Sequence, residues 1–321
     1  MKAAVYYETG APDVLRYEDV PDPEVTDHKV LVEVEAISIE GGDTLNRLGG
    51  SMPSTPHIVG YQCGGTIVEV GAAVRRREVG QRVVCTMPYG SHAELVAVPA
   101  AGAWVVPDGL DLMSAACVPI PFGTADDCLF EFGRLQAGET VLVQAGSSGV
   151  GLAAIQLAKR AGATVLATAS TDEKLSRLAD YGLDHGINYR DGDFAEEARR
   201  LTGGKGVDLV LDSVGTTLNG SVRSLGYRGR LTMIGNAGRD RLRFDPAPLM
   251  AWCQSAIGVA LATELSIGSP RAHQNIERLF DLVAAGELRV VIDSTFPLAE
   301  AAAAHQHLED RKAFGRVVLI P

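Results

Sequence analysis

Residues 29–39, KVLVEVEAISI, alternate apolar and polar positions, the period of a strand with one face buried. The signal recurs between glycines in GGTIVEVG and GQRVVCTM, and more briefly in HAELVAVPA and AWVVPDG, which ends at Pro107. The opening MKAAVYYETG adds another apolar strand closing on glycine. Short strands divided by Gly and Pro turns predict a small β-barrel-like unit. In LDLMSAACV, Asp111 is a plausible helix N-cap before an apolar run.

From Thr140 the pattern changes. TVLVQAG is followed by helical VGLAAIQLAKRAG, ATVLATAS by DEKLSRLADYG, and HGINYR by DFAEEARRLTGG, with VDLVLDSVG and RGRLTMIGN as further strands. Continuous β-branched runs between amphipathic helices predict a parallel sheet covered on both faces. QSAIGVALA reads as one more strand and 270–285 as a helix, after which LRVVIDSTFPL, AEAAAAHQHLED and GRVVLIP are placed to return to the first domain.

The loop in VLVQAGSSGVGLAAIQLA follows a buried strand and opens a helix, the context of a dinucleotide phosphate loop. Gly146 is read as the tight turn, Ser147, Ser148, Gly149 and Val150 as backbone near a pyrophosphate, and Gly151 as the close-packing glycine. The helix start supplies free N–H groups and a partial positive charge. The middle glycine of the usual fingerprint is Ser148 here. The second strand ends at Ala169 and Ser170, where an NAD-binding chain usually carries an acidic residue; Asp172 lies past the strand end. Lys174, about one turn onward, is placed to meet a 2′-phosphate and Tyr189 to wall the adenosine, so NADPH is the expected cofactor.

Composition narrows the remaining classes. The chain has 321 residues, 46% hydrophobic and 21% charged, enough for two domains with their own cores. A net charge of −11 opposes nucleic-acid binding, and GRDRLR at 238–243 reads as a solvated loop. No apolar run approaches the ~18 residues of a spanning helix, so no membrane partner is expected, and the amino-terminal stretch lacks a signal-peptide pattern. Five scattered cysteines with no C-x-x-C pair suggest neither a disulfide framework nor a zinc knuckle, which makes a reducing cytoplasm the expected location. One stretch resists this reading. In IVGYQCGG, Tyr61 and Gln62 interrupt a glycine-rich apolar segment, as metal-site machinery, substrate contacts or core hydrogen bonding.

The two-domain order and the segments MKAAVYYETGAPDVLRYEDVPDPEV, AGSSGVGLAAIQLAKRAGATVLATAST, INYRDGDF, LTGGKGVDLVLDSVG and FGRVVLIP resemble the medium-chain dehydrogenase/reductase superfamily, above all the zinc-independent quinone oxidoreductases related to zeta-crystallin. The resemblance implies an α/β fold in which a doubly wound Rossmann sheet is inserted into a GroES-like β-barrel catalytic domain. The corresponding division is 1–118 for the first part of the catalytic domain, 119–256 for the Rossmann domain, and 257–321 for its last elements and the return. It also implies a homodimer through the strand near Ala256–Ala262.

Zinc members of the superfamily carry Gly-His-Glu where this chain has Gly60-Tyr61-Gln62, a cysteine where it has Glu40, and a third ligand near Ile120. Tyr and Ile cannot complete a catalytic zinc set, so no metal is expected, and a substitute site from Glu40, Cys63 and His92 is disfavoured. The implied chemistry is hydride transfer from NADPH to a quinone or an α,β-unsaturated carbonyl. The alternatives are a dedicated biosynthetic enone reductase and an NADPH-binding structural or interaction protein. Tyr61 becomes a candidate proton donor. Glu40, which replaces the branch's usual Asn, is a donor only if burial raises its pKa. The resemblance further places Thr124 near the nicotinamide, Ser213, Val214, Gly215, Gly235 and Asn236 along the cofactor, Arg316 at its phosphates, and Met87, Pro88 and Tyr89 beside the substrate.

Overall fold

The computed structural model describes Met1–Pro321. In chain order its strands are β1 (Lys2–Tyr6), β2 (Arg16–Asp19), β3 (Lys29–Ser38), β4 (His57–Ile58), β5 (Gln62–Val70), β6 (Arg82–Thr86), β7 (Leu95–Pro99) and β8 (Ala103–Val105). There follow β9 (Thr140–Val143), β10 (Thr164–Ala169), β11 (His185–Asn188), β12 (Val207–Asp212), β13 (Leu225–Met233), β14 (Ser255–Gly258), β15 (Ile292–Pro297) and β16 (Arg316–Ile320). Two units result, one from 1–120 together with 265–321, the other from 121–264.

In the first unit, β3 is the organising strand. It pairs antiparallel with β5, β7 and β16, and the sheet runs β15-β16-β3-β5-β6-β8. The alternation in KVLVEVEAIS sends Val30, Val32 and Val34 into a core with Ile67, Val83, Val96 and Leu319, while Glu33 and Glu35 face out. A three-stranded sheet, β2-β1-β4, completes the strands. The helix Gly41–Gly49 follows β3 and buries Asp43, Thr44 and Arg47, a polar face with no apolar stripe to announce it. Asp111 caps Leu112–Ala115 by accepting the Ser114 amide at 2.8 Å.

The second unit is a six-stranded parallel sheet in the order β11-β10-β9-β12-β13-β14. Chain order reverses between β9 and β12, and ligands of such sheets bind outside the carboxyl ends of the strands at that point. Its core gathers Leu142, Leu166, Val207, Val210 and Leu231 from the strands with Ala198, Leu218 and Val222 from flanking helices.

The strand expected over 254–262 is shorter than the apolar run suggests. It ends at Gly258, and Leu261–Ser266 is helical, so the Leu261–Ala262 portion of the expected dimer strand is not extended. No helix is long and apolar enough to cross a membrane.

Candidate active site

The phosphate loop of the second unit starts where β9 ends. The left-handed residue of its turn is Ala145, at φ 54°, and not Gly146 as the motif suggested. Gly146 is required for a different reason: a Cβ there would lie 2.8 Å from the Ala167 Cβ and 3.0 Å from Leu178 Cδ1. Gly151 does serve close packing, since its Cβ would fall 2.4 Å from the Ala145 carbonyl oxygen. Ser148 is the N-cap of the helix Gly149–Arg160, its Oγ accepting the Gly151 amide at 3.1 Å. A serine therefore stands at the middle motif position because it caps the helix. Gly149 and Val150 open the helix with no intrahelical acceptor, leaving donors suited to an anion. Ser147 lies half-buried in the same turn.

The end of β10 carries no carboxylate. Ser170 and the N-cap Thr171 lead into Asp172–Leu178, and the Lys174 amide donates to Thr171 Oγ1 at 3.2 Å. The Asp172 carboxylate accepts from Asn188 Nδ2 at 3.1 Å. Tyr189, 37% exposed, donates its amide to the Ala169 carbonyl at 3.2 Å and so stands beside the strand end.

At β12, the Val214 and Gly215 amides turn inward to Asp212 Oδ1, at 2.9 and 3.0 Å, and do not face a ligand. Gly215, at φ 80°, leaves no room for a Cβ beside Asn236 Oδ1. The Ser213 and Val214 carbonyls accept from Ala237 and Gly238, which ties this turn to the loop of Gly235 and Asn236. Asn236 donates to the Asp240 carbonyl at 2.9 Å, while its buried Oδ1 has no partner. Such an orphaned acceptor fits a donor group on a bound molecule. Thr124 is half-buried in the helix Pro119–Asp126. These residues suit a dinucleotide.

In the first unit a second polar group is assembled around Glu40, which is only 3% exposed. Its carboxylate accepts from Ser38 Oγ and Gln62 Nε2, each at 3.1 Å, and from the Arg316 guanidinium. Glu40 also caps the helix Gly41–Gly49 reciprocally with Asp43, whose Oδ2 accepts the Glu40 amide at 2.8 Å. Burial pushes the Glu40 pKa up to about 7 against the opposing pull of Arg316 and Ser38. Burial also holds Asp43 well above the usual carboxylate range, with the Glu40 charge adding to it, and one Asp43 oxygen has no partner.

Arg316 corrects the expectation that it reaches cofactor phosphates. It is buried at 7% exposure, and its guanidinium is committed to Glu40, Ser38 Oγ and the Ile39 carbonyl, the latter two at 2.6 Å. The antiparallel pairing of β16 with β3 brings Arg316 beside Ser38, across most of the chain.

Tyr61 and Gln62 have separate tasks. Gln62, fully buried, holds Glu40 with its amide nitrogen and accepts the Ile120 amide with its oxygen at 2.7 Å. Tyr61 is half-buried with its hydroxyl at the amino end of the helix Gly41–Gly49, where the Gly42 amide donates to it. A Cβ at Gly42 would lie 2.5 Å from that hydroxyl. Burial, with the Asp43 and Glu40 charges, raises the phenol well above its ordinary pKa, so it stays protonated. Gly60 is needed because φ is 100° and a Cβ would meet His92 Nδ1 and Ser91 Oγ at 2.1 Å.

No three His, Cys, Asp or Glu side chains converge to hold a metal ion. His92 is hydrogen-bonded to His305 at 3.0 Å, and burial lowers its pKa to about 3, while burial pushes the Cys63 thiol well up. Tyr89 packs against His57, ring centroids 5.0 Å apart, and Met87 packs on the barrel core. Ser38 and Asp43 escaped the sequence reading; Asp43 had a visible signal in its position three residues after the N-cap Glu40.

Comparison with known proteins bears on both groups. Residues 26–108 match the alcohol dehydrogenase GroES-like domain and residues 181–319 the zinc-binding dehydrogenase family. A 2-haloacrylate reductase from Burkholderia sp is 35% identical, covering 99% of this chain and 98% of its own length. The quinone oxidoreductase of Pseudomonas aeruginosa is 34% identical over 97% of both chains. The chain belongs to the zinc-independent quinone oxidoreductase branch of the medium-chain dehydrogenase/reductase superfamily. Two solved members superpose over the whole chain with a TM-score of 0.94. One is a mycobacterial protein complexed with NADPH, 35% identical, and the other the Escherichia coli quinone oxidoreductase complexed with NADPH, 28% identical; each is itself covered completely. In this branch the GroES-like domain is the first unit and the Rossmann-like domain the second.

Proposed function

We propose that the chain is an NADPH-dependent reductase of quinones or α,β-unsaturated carbonyl compounds that works without a metal. The observation that carries this reading is full-length likeness to both a quinone oxidoreductase and a 2-haloacrylate reductase, in a chain whose phosphate loop is intact. Bound NADPH supplies a hydride from nicotinamide C4 to the electrophilic carbon of the acceptor. The open amides of Gly149 and Val150 hold the pyrophosphate. Lys174 meets the 2′-phosphate in place of the missing carboxylate at Ser170, with Tyr189 against the adenosine. Asn236 Oδ1 accepts from the cofactor, and Thr124 lies near the nicotinamide.

Tyr61 donates a hydrogen bond to the acceptor oxygen as negative charge develops there. Glu40, with a pKa of about 7, keeps a proton available at neutral pH, and burial raises Asp43 beside it well above the usual carboxylate range. The 2-haloacrylate relative favours carbon–carbon double-bond reduction, since hydride adds to the β-carbon of an alkene conjugated to a carboxyl group. A dedicated enone reductase is therefore the second reading.

The working molecule is a homodimer joined at β14. That strand is an edge of the six-stranded sheet, and the Val259 amide donates to Met233, so the alternate Ala256 amide faces the open side. Ala256→Pro removes that outward donor and is expected to give a monomer by light scattering; an unchanged dimer overturns this interface. All five cysteines are unpaired and four are buried, which supports a reducing cytoplasm.

The deciding experiment offers an ortho-quinone and a 2-alkenone in parallel to EDTA-dialysed protein with NADPH or NADH. Oxidation of NADPH in preference to NADH, with either acceptor, supports the reading. Activity that appears only after zinc is restored overturns it.

A further inference from the structure

At the carboxyl ends of β9, β10 and β12 lies a run of polar side chains to which no role in the reaction has been assigned. Thr168, Gln144, Ser221 and Asp212 are each 1% exposed or less, so their polar groups must be satisfied internally. They satisfy one another in sequence. The Ala145 amide donates to Thr168 Oγ1 at 3.1 Å, and that hydroxyl donates to Gln144 Oε1 at 2.8 Å. Gln144 Nε2 donates to Ser221 Oγ at 3.1 Å, and Ser221 donates to Asp212 Oδ2 at 2.7 Å. The other Asp212 oxygen receives the Val214 and Gly215 amides. From the Ala145 amide to Asp212 the four bonds share one direction, so each polarises the next.

The two ends of this chain are the two cofactor segments. Ala145 is the left-handed residue of the phosphate loop, and Val214 with Gly215 forms the turn after β12; Thr168 adds the end of β10, two residues before Ser170. Gln144 sits in the middle, one amide spanning the gap between β10 and the helix Leu218–Ser224. An apolar residue there would fill the space and leave Thr168 and Ser221 each short of a partner.

We infer that Gln144 is a positioning residue for the dinucleotide, setting the phosphate loop and the Ser213–Gly215 turn at a fixed separation through Thr168, Ser221 and Asp212. The inference rests on the cofactor reading given above. Because the pyrophosphate is common to both nucleotides, the network acts on NADPH and NADH alike, unlike Lys174.

The test is fluorescence titration of the full chain with NADPH and with NADH. Gln144→Met is expected to raise both Kd values about tenfold at an unchanged ratio, with kcat at saturating cofactor within about twofold of wild type. Thr168→Val is expected to weaken both nucleotides severalfold and Thr168→Ser, which keeps the hydroxyl, to restore binding. Thr168→Val and Ser221→Ala together are expected to cost less than the product of their separate effects. Nucleotide affinities within twofold of wild type in Gln144→Met, with only a lower melting temperature, overturn the inference. If that variant does not fold, equal binding by Thr168→Val and Thr168→Ser overturns it instead. Wild-type protein that binds neither nucleotide sinks the cofactor reading itself; wild-type binding with indifferent variants sinks only the role of Gln144.

Discussion

Glu40 and Asp212 are both carboxyl groups with almost no exposure, and their surroundings differ in kind. Asp212 accepts only from neutral donors, two amides and the hydroxyls of Thr217 and Ser221, and all are fixed in one turn and one helix. Glu40 faces a guanidinium, a second acid at Asp43 and a phenol at Tyr61, and its pKa is driven to about 7. The Rossmann unit uses buried polarity to hold backbone still. The GroES-like unit keeps a buried carboxyl, Glu40, whose protonation changes near neutral pH, which is what proton delivery requires.

The largest test of this contrast is Arg316→Met. It strands Glu40 without its cation and is expected to cost about 3–5 kcal/mol in urea denaturation at pH 8, much less at pH 5 where Glu40 is neutral. The double variant Arg316→Met, Glu40→Gln should recover most of the loss. A penalty independent of pH would show that Arg316 acts through packing alone.

Next in size is Tyr61→Phe, expected to slow 2-alkenone reduction about 10²-fold while leaving ortho-quinone reduction within a few-fold, because a hydroquinone anion takes its proton from water. Gly42→Ala, which displaces the hydroxyl, should reproduce that pattern. Equal loss on both acceptors would remove Tyr61 from proton delivery. Lys174→Ala is expected to weaken NADPH about tenfold and NADH hardly at all; equal weakening would remove the 2′-phosphate contact.

A further effect is a slope. Glu40 binds its proton more tightly folded than unfolded, so its contribution to stability is full below about pH 4.5 and is lost as pH rises to about 7. The loss is at most about 1.4 kcal/mol per pH unit in that window. Denaturation midpoints across pH 4–8 should show a component of this sign that Glu40→Gln abolishes.

The second unit was largely legible in the sequence because its signals are local. TVLV, TVLATA and VDLVLD are apolar runs whose length and β-branching announce buried strands, and the phosphate loop sits between neighbours in sequence. Even there, the left-handed turn fell one residue early, at Ala145, because the motif does not record which residue bends. The Glu40 group was far less legible. GGDTLNRLG lacks an apolar stripe, since its buried face is Asp43, Thr44 and Arg47. The fate of Arg316 depends on pairing between β16 and β3, which no local pattern reveals, and GRVVLIP shows only an edge of apolar residues behind an arginine.

That pairing also bears on how the molecule is made. Residues 121–264 are contiguous and can close their sheet once that stretch has emerged from the ribosome. The barrel cannot finish: β3 waits for β16 at 316–320, and Glu40 waits with it for its cation. During synthesis the amino-terminal strands therefore carry an open edge while the inserted unit folds ahead of them. Premature termination near the carboxyl end would then release a chain with a finished nucleotide domain and a β3 whose Ile37–Ser38 end lacks its partner, a species suited to capture by chaperones rather than to catalysis.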